Sequence, residues 1–222
     1  MTTAPVLTID GPSGAGKGTV SRVLAARLGW HYLDSGAIYR ALALAVRQAG
    51  IALDDVPAIV GVAEAMVLTF QCQPEYRVFL DAREITDTLP LEATGESASV
   101  IAAYPEVRQA LLEKQRAFCQ KPGLVADGRD MGTVVFTSAT VKVFLTASAE
   151  QRALRRFKQL IEKGIDANLA KITEAIEARD LRDRSRSHAP LLAAEDAILI
   201  DSSALTIDQV VKRICAVLQE KL

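Results

Sequence analysis

Apolar and polar positions along this chain switch between two periods. Val6-Leu7-Thr8-Ile9 is a short, nearly continuous apolar run, as expected of a strand buried on both faces. Beyond Gly18 the period lengthens, with Val20, Val23, Leu24 and Leu28 recurring at spacings of three and four. The pattern predicts strand, glycine-rich turn, helix. His31-Tyr32-Leu33 reads as the next extended segment, and a second helix opens behind it with Asp34 or Ser35 as its N-cap. Helical spacing returns over 54–65, where Pro57 is acceptable in a first turn. The period then shortens again. Residues 66–72 and 76–80 resemble two strands around Gln73-Pro74-Glu75, and 84–86 a short third, which predicts a small antiparallel sheet inserted into a βα scaffold.

Two helices follow, over 92–102 and 105–120. Leu124-Val125-Ala126 and Val141–Leu145 read as buried strands, and Ser148 to Gln151 has capping-box spacing at the start of another helix. A strand over 197–200 and a helix over 206–222, with Thr206 and Gln209 repeating the capping-box spacing, close the pattern. Strands that end in glycine and charge and alternate with helices predict a parallel sheet whose site lies at its carboxyl edge.

Composition narrows the picture. A chain of 222 residues that is 50% hydrophobic can bury a substantial core and should form one main domain with a small insert. The formal net charge is -1, so no overall basic field draws it to nucleic acid or membrane, and any anion site must be a local cluster of Arg and Lys. Cys72, Cys119 and Cys215 lie far apart without metal-ligand spacing and read as reduced, buried thiols. There is no run of about 18 apolar residues and no basic stretch leading into an apolar one at the N-terminus. The expectation is a cytoplasmic monomer with neither nucleic-acid nor membrane partner.

The candidate chemistry begins in the first turn. Gly11-Pro12-Ser13-Gly14-Ala15-Gly16-Lys17-Gly18-Thr19 has G-x-x-x-x-G-K spacing between a strand and a helix, the context in which such a P-loop presents backbone N–H groups and a helix N-terminus to polyphosphate. Lys17 adds a point charge for the β and γ phosphates. Gly18 departs from the simplest form, where Ser or Thr follows the lysine, and the hydroxyl comes one place later at Thr19, the nearest one for Mg²⁺ or its waters. Asp127, at a strand end, is the acidic group expected beyond the metal's water shell. His31 has no partner cluster and reads as structural. Arg40 reads either as a solvated helix charge or as a holder of a second phosphate.

Seven arginines fall between 152 and 186: Arg152, Arg155, Arg156, Arg179, Arg182, Arg184 and Arg186. Glu162-Lys163-Gly164-Ile165 separates them into two groups, a break suited to a mobile lid. Arg179, Arg182, Asp183 and Arg186 share one helix face by spacing, either as a solvated, ion-paired surface or as a phosphate clamp. A P-loop in the same chain favours the clamp, because phosphoryl transfer needs several cations around the transferred oxygens. No Ser-His-Asp or Cys-His arrangement is readable. None is needed if the acceptor is a phosphate monoester, whose second pKa of about 6 makes it largely a dianion at neutral pH.

Four stretches together resemble the bacterial cytidylate kinases: Asp10 to Thr19, Leu33 to Arg40, Asp127-Gly128-Arg129-Asp130-Met131-Gly132-Thr133-Val134-Val135-Phe136, and Arg179 to Arg184. The likeness runs from about Val6 to the last helix. It implies an α/β P-loop NTPase fold, a central parallel sheet flanked by helices, with a small β-containing insert for the nucleoside monophosphate and a mobile lid. The expected boundaries are core 1–60, 105–150 and 190–222, insert 61–104 and lid 151–189. The implied activity is transfer of the γ-phosphoryl group of ATP to CMP or dCMP with Mg²⁺. Carried over position by position, Ser35, Arg40, Ser99, Arg108, Arg129, Asp130, Arg179, Asp183 and Arg186 line the acceptor site. Gly11 to Thr19 and Arg152 lie on the ATP side, with Arg156, and Lys17, Arg129, Arg186 and Arg156 are the expected catalytic cations.

Within that implication Asp130 accepts from the cytosine N4 amino group, Ser99 and Arg108 donate to N3 and O2, and Asp183 with Arg179 sits near the ribose hydroxyls. Two alternatives stay open: a kinase of this fold with another acceptor, such as UMP or a small hydroxyl metabolite, and a switch that hydrolyses its own triphosphate. The second should carry a guanine-reading N-K-x-D tetrapeptide, and the sequence has none.

Overall fold

The computed structural model describes residues 4–71, 75–162 and 164–222. Cys72, the Gln73-Pro74 part of the expected turn and Lys163 lie outside the described residues. Five strands form one parallel sheet in the order β2 (His31–Asp34), β6 (Leu124–Gly128), β1 (Val6–Asp10), β7 (Val141–Thr146), β8 (Ile198–Asp201). β1 lies at the centre, with Val6 opposite Leu124 and Leu7 opposite Val141. Its neighbours' carboxyl ends therefore flank the loop that leaves Asp10.

Alternation of side chains along each strand supplies two cores. Leu7, Ile9, Val125, Val143 and Leu145 face α1 (Lys17–Leu28) and α8 (Ile207–Lys221). Val6, Leu33, Leu124 and Ala126 face the side built from α2 (Ser35–Gln48), α3 (Val56–Ala65), α4 (Glu92–Ile101) and α5 (Pro105–Arg116). Each fully buried Leu or Ile contributes roughly 1.5–3 kcal/mol over an exposed one.

Local signals hold the helices in register. Asp34, rather than Ser35, caps α2 by accepting from the Ala37 N–H at 2.9 Å. Asp55 caps α3, with proline in its first turn. Thr206 and Gln209 form both halves of a capping box on α8. The expected 105–120 helix stops at Arg116, where the chain tightens into i→i+3 bonds from the Phe118 N–H to Gln115 O and from the Cys119 N–H to Arg116 O.

β3 (Leu68–Gln71), β4 (Arg77–Leu80) and β5 (Arg83–Glu84) form a separate antiparallel sheet, with Leu68 opposite Leu80 and Phe79 opposite Glu84. Tyr76 sits 6.2 Å from the Phe70 ring and 5.7 Å from Tyr32, so this sheet leans on β2. α6 (Ala149–Glu162) and α7 (Leu169–Arg184) pack on each other, with Gly164 between them at φ 71. Cys119 and Cys215 are free and only partly buried, against the expectation of buried thiols: Cys119 lies in the turn after α5 and Cys215 on α8, each at the rim of a core. No described helix is long and apolar enough to cross a membrane.

Candidate active site

The loop between β1 and α1 follows its glycines. Gly11 adopts φ 146, and a Cβ there would sit 1.9 Å from the Leu145 carbonyl oxygen, so no other residue lets β1 pass β7 at this point. Gly16 ends the loop in the left-handed region as the N-cap of α1 without a side-chain cap, leaving the first N–H groups of the helix for a ligand. Thr19 stands in that first turn with its side chain exposed.

The loop's carbonyls are tied from behind. Arg152 Nη1 donates to Ser13 O at 3.1 Å, Ser202 Oγ to Ala15 O at 3.0 Å, and Arg155 Nη1 to Ala15 O at 3.4 Å. These bonds hold the Ser13 and Ala15 carbonyls against α6 and the end of β8. Lys17 Nζ donates to Pro12 O at 2.9 Å across the same cradle and is 6% exposed.

Beneath the lysine lie buried carboxyls. Asp127 accepts from the Tyr32 hydroxyl at 2.6 Å. Burial and the neighbouring Asp34 push its pKa up, while burial and Arg129 push Lys17 down. A Cβ placed at Gly18 would lie 3.6 Å from the Tyr32 hydroxyl and 3.7 Å from Asp127 Oδ2, so the glycine after the lysine borders the pocket these groups share. Asp10 accepts from the Met131 and Gly132 N–H groups, each at 2.8 Å, which anchors the π-helical turn Met131–Val135 to the end of β1. Burial raises Asp10 to about 6 against the lowering effect of those two bonds.

A second group of charges gathers on the other side of that turn. Arg108 ion-pairs with Asp130, also donates to Ala102 O, and lies 5.6 Å above the Tyr39 ring. Arg129 Nε donates to Asp183 Oδ2 at 2.9 Å and Arg186 Nη2 to Asp183 Oδ1 at 2.5 Å. Burial alone would raise Asp183, but Arg129, Arg186 and Arg179 together hold it below the ordinary carboxylate range.

Arg40 and Arg179 are different. Both Nε atoms are buried without a hydrogen-bond partner, and no described carboxylate lies within ion-pair distance of either. Both reach the same spot: a Cβ at Gly95 would be 3.8 Å from Arg179 Nη1 and 3.9 Å from Arg40 Nε. Burial, then Arg129 and Arg40, push Arg179 down to about 10. The Ser99 hydroxyl, one turn on from Gly95 in α4, is buried and equally unpartnered.

The acceptor-site residues named from the sequence therefore come together, with qualifications. Ser35 Oγ is engaged, donating to Gln115 Oε1 at 2.8 Å. Arg182 is exposed, while the buried residues of α7 are Asp180 and Asp183 with Arg179 half-buried beside them. Arg156 stands apart from the loop, reaching Pro90 O at 3.4 Å and Glu92 at 3.7 Å. Arg152 is almost fully buried with its donors on protein acceptors. Sequence reasoning missed Tyr32, Gln115, Asp10 as an anchor, Asp180 and Ser202. Only Asp10 carried a signal, a carboxylate at the end of the first strand.

A family model described as cytidylate kinase matches residues 7–220. This chain belongs to the cytidylate kinase family. Curated relatives named cytidylate kinase agree along nearly the full length. The protein of Methylococcus capsulatus is 57% identical over 217 residues, covering 98% of each chain. That of Aeromonas salmonicida is 54% identical over 220 residues, covering 99% of this chain and 96% of its own, and that of Colwellia psychrerythraea 53% identical, covering 98% and 97%. The charge cluster and the loop both lie within the residues matched by the family model.

Proposed function

We propose that the chain transfers the γ-phosphoryl group of ATP to CMP or dCMP. The observation that carries this reading is the pair Arg40 and Arg179, two part-buried arginines whose Nε atoms are buried without a partner beside one spot, with no described carboxylate in ion-pair contact with either. Buried charge without a counter-charge is costly, and a phosphate monoester placed against Gly95 would supply it. Arg129 and Arg186, now held by Asp183, stand ready to share the transferred group's oxygens.

The reaction follows from these positions. An acceptor phosphate oxygen forms a bond to the γ phosphorus while the bond to the β–γ bridging oxygen breaks, and the electron pair leaves with ADP. The acceptor is already ionised, so no general base is required. The chain's part is to place the two phosphates in line, spread cations around the moving group and keep water out. Lys17 and the loop N–H groups hold the donor. Asp130, Arg108 and Ser99 read the base, with Asp130 accepting from N4 of cytosine where uracil would present a second acceptor. Ser35 and Asp183 complete the acceptor pocket, Arg152 braces the phosphate loop from the ATP side, and Arg156 serves the donor by leaving Pro90 and Glu92.

A metal fits the donor side. Mg²⁺ at a nucleotide keeps several waters and takes one or two protein oxygens besides the phosphates, and the exposed Thr19 hydroxyl with Asp127 behind the loop is such a set. When bound it neutralises charge on the β and γ oxygens. The 61–104 insert and the 151–189 lid are the segments proposed to move as the site closes, and a cytoplasmic monomer is the proposed working form.

Calorimetric titration of CMP into wild type, R40Q and R179Q tests the central feature. Each variant should bind CMP at least tenfold more weakly while binding ATP as before. Unchanged CMP binding in both would remove the arginine pair from the acceptor site.

A further inference from the structure

We propose that Arg152 and Asp180 form a strut through which acceptor occupancy alters the donor loop. Arg152 spends its guanidinium in the plane of the fork. Nε donates to Ala147 O at 3.0 Å, Nη1 to Ser13 O at 3.1 Å and Asp180 Oδ1 at 3.0 Å, and Nη2 to Asp180 Oδ2 at 2.5 Å. One rigid group therefore joins the end of β7, the phosphate loop and α7. Its stem also presses on the loop, since a Cβ added at Gly14 would stand 3.1 Å from Arg152 Cβ. Lysine, a single point donor, cannot make this set of bonds.

α7 lies between two jobs. Arg179 and Asp183 turn toward the acceptor cations, Arg179 unpaired and Asp183 holding Arg129 and Arg186. Asp180, one residue on and about 100° around the helix, turns the other way with Glu177 and Arg184 into the cleft that Arg152 shares. An acceptor phosphate that draws Arg179, Arg129 and Arg186 to itself acts on the helix that carries Asp180. The bidentate pair passes that movement to the Ser13 carbonyl, and with it the aim of the loop N–H groups. Asp180 is thus a positioning residue that acts through Arg152 and touches neither nucleotide.

Coupling of this kind is reciprocal and measurable as the ratio of donor affinities with and without acceptor. The inference rests on the CMP reading above. The experiment is titration of Mg-AMP-PNP into the full chain, alone and with saturating CMP, for wild type, D180N and the double variant R152M/D180L, which leaves no charge buried if D180N fails to fold. Wild type should bind AMP-PNP at least fivefold more tightly with CMP present. In D180N or the double variant that ratio should fall threefold or more towards one, with CMP affinity alone nearly unchanged. A wild-type ratio near one, or a folded variant whose ratio falls by less than threefold, overturns the strut. Failure of wild type to bind CMP at all would instead overturn the acceptor reading on which it rests.

Discussion

Asp183 holds two arginines at once, Arg129 on one carboxylate oxygen and Arg186 on the other, while its own side chain is 1% exposed. The two cations proposed to serve the transferred phosphoryl group thus share one protein anion.

Asp183→Asn should therefore destabilise the protein as well as slow it. The loss should be about 2–4 kcal/mol near neutral pH, towards the lower side of what breaking a buried ion pair costs, because the amide keeps one acceptor. The sign with pH follows from the lowered carboxyl. Its stabilisation is present above the unfolded value of about 3.8 and is lost as pH falls through the lower folded value. Urea unfolding between pH 3 and 7 should show wild type and variant converging in acid, and a constant gap would show that Asp183 is not ionised in its pair.

Asp10 should behave in the opposite sense. Its carboxyl is raised to about 6, so the stabilisation it carries is fully present below 3.8 and is lost as pH rises through 6. Against Asp10→Asn, wild type should lose at most about 3 kcal/mol between those values, from the 1.36 kcal/mol that each pKa unit represents. A difference in unfolding free energy that stays flat from pH 4 to 7 would mean that the two N–H bonds from Met131 and Gly132 hold Asp10 ionised throughout.

Lys17→Met should lower kcat by about a hundredfold or more, the loss seen when one donor to developing charge is removed, while the Kd for CMP stays within about twofold. Stopped assays for turnover and calorimetry for CMP separate the two. Loss of CMP binding would contradict the division of the site into a donor cradle and an acceptor cluster.

Asp130→Ala should collapse the preference for CMP over UMP by about tenfold to a hundredfold, equivalent to 1–3 kcal/mol for a base contact, with most of the fall on CMP. Ratios of kcat/KM for the two acceptors measure it. An equal loss on both would leave Asp130 as a partner for Arg108 and nothing more.

The parts legible in the sequence were those with a local cause. The Gly11 to Thr19 loop, a cap at Asp34 or Ser35, the Thr206 capping box and the buried apolar runs of β1 and β6 depend on neighbours a few residues away. Spacing and the P-loop offer Arg179 and Arg186 as a phosphate clamp, but Arg108, Arg129 and Arg40, the last of which also reads as a solvated helix charge, are assigned to the acceptor only through resemblance. The supports were not readable at all. Tyr32 meets Asp127 across 95 positions, Ser35 meets Gln115 across 80, and Arg152 meets Ser13 across 139, each because two strands or helices happen to be neighbours in the finished sheet. Nothing in the residue types signals such pairs before the topology is known.

ADP release from Mg-ATP, followed with CMP, dCMP, UMP, AMP, GMP and no acceptor, tests the central claim most directly. Turnover with CMP and dCMP should stand at least tenfold above UMP, and the rate without acceptor should be close to zero, as follows from the proposed roles of the arginines on a phosphate and of Asp130 on a base that donates at N4. Equal rates with every acceptor and with none would mean that water is the acceptor, and strong turnover with UMP or AMP would contradict the role given to Asp130.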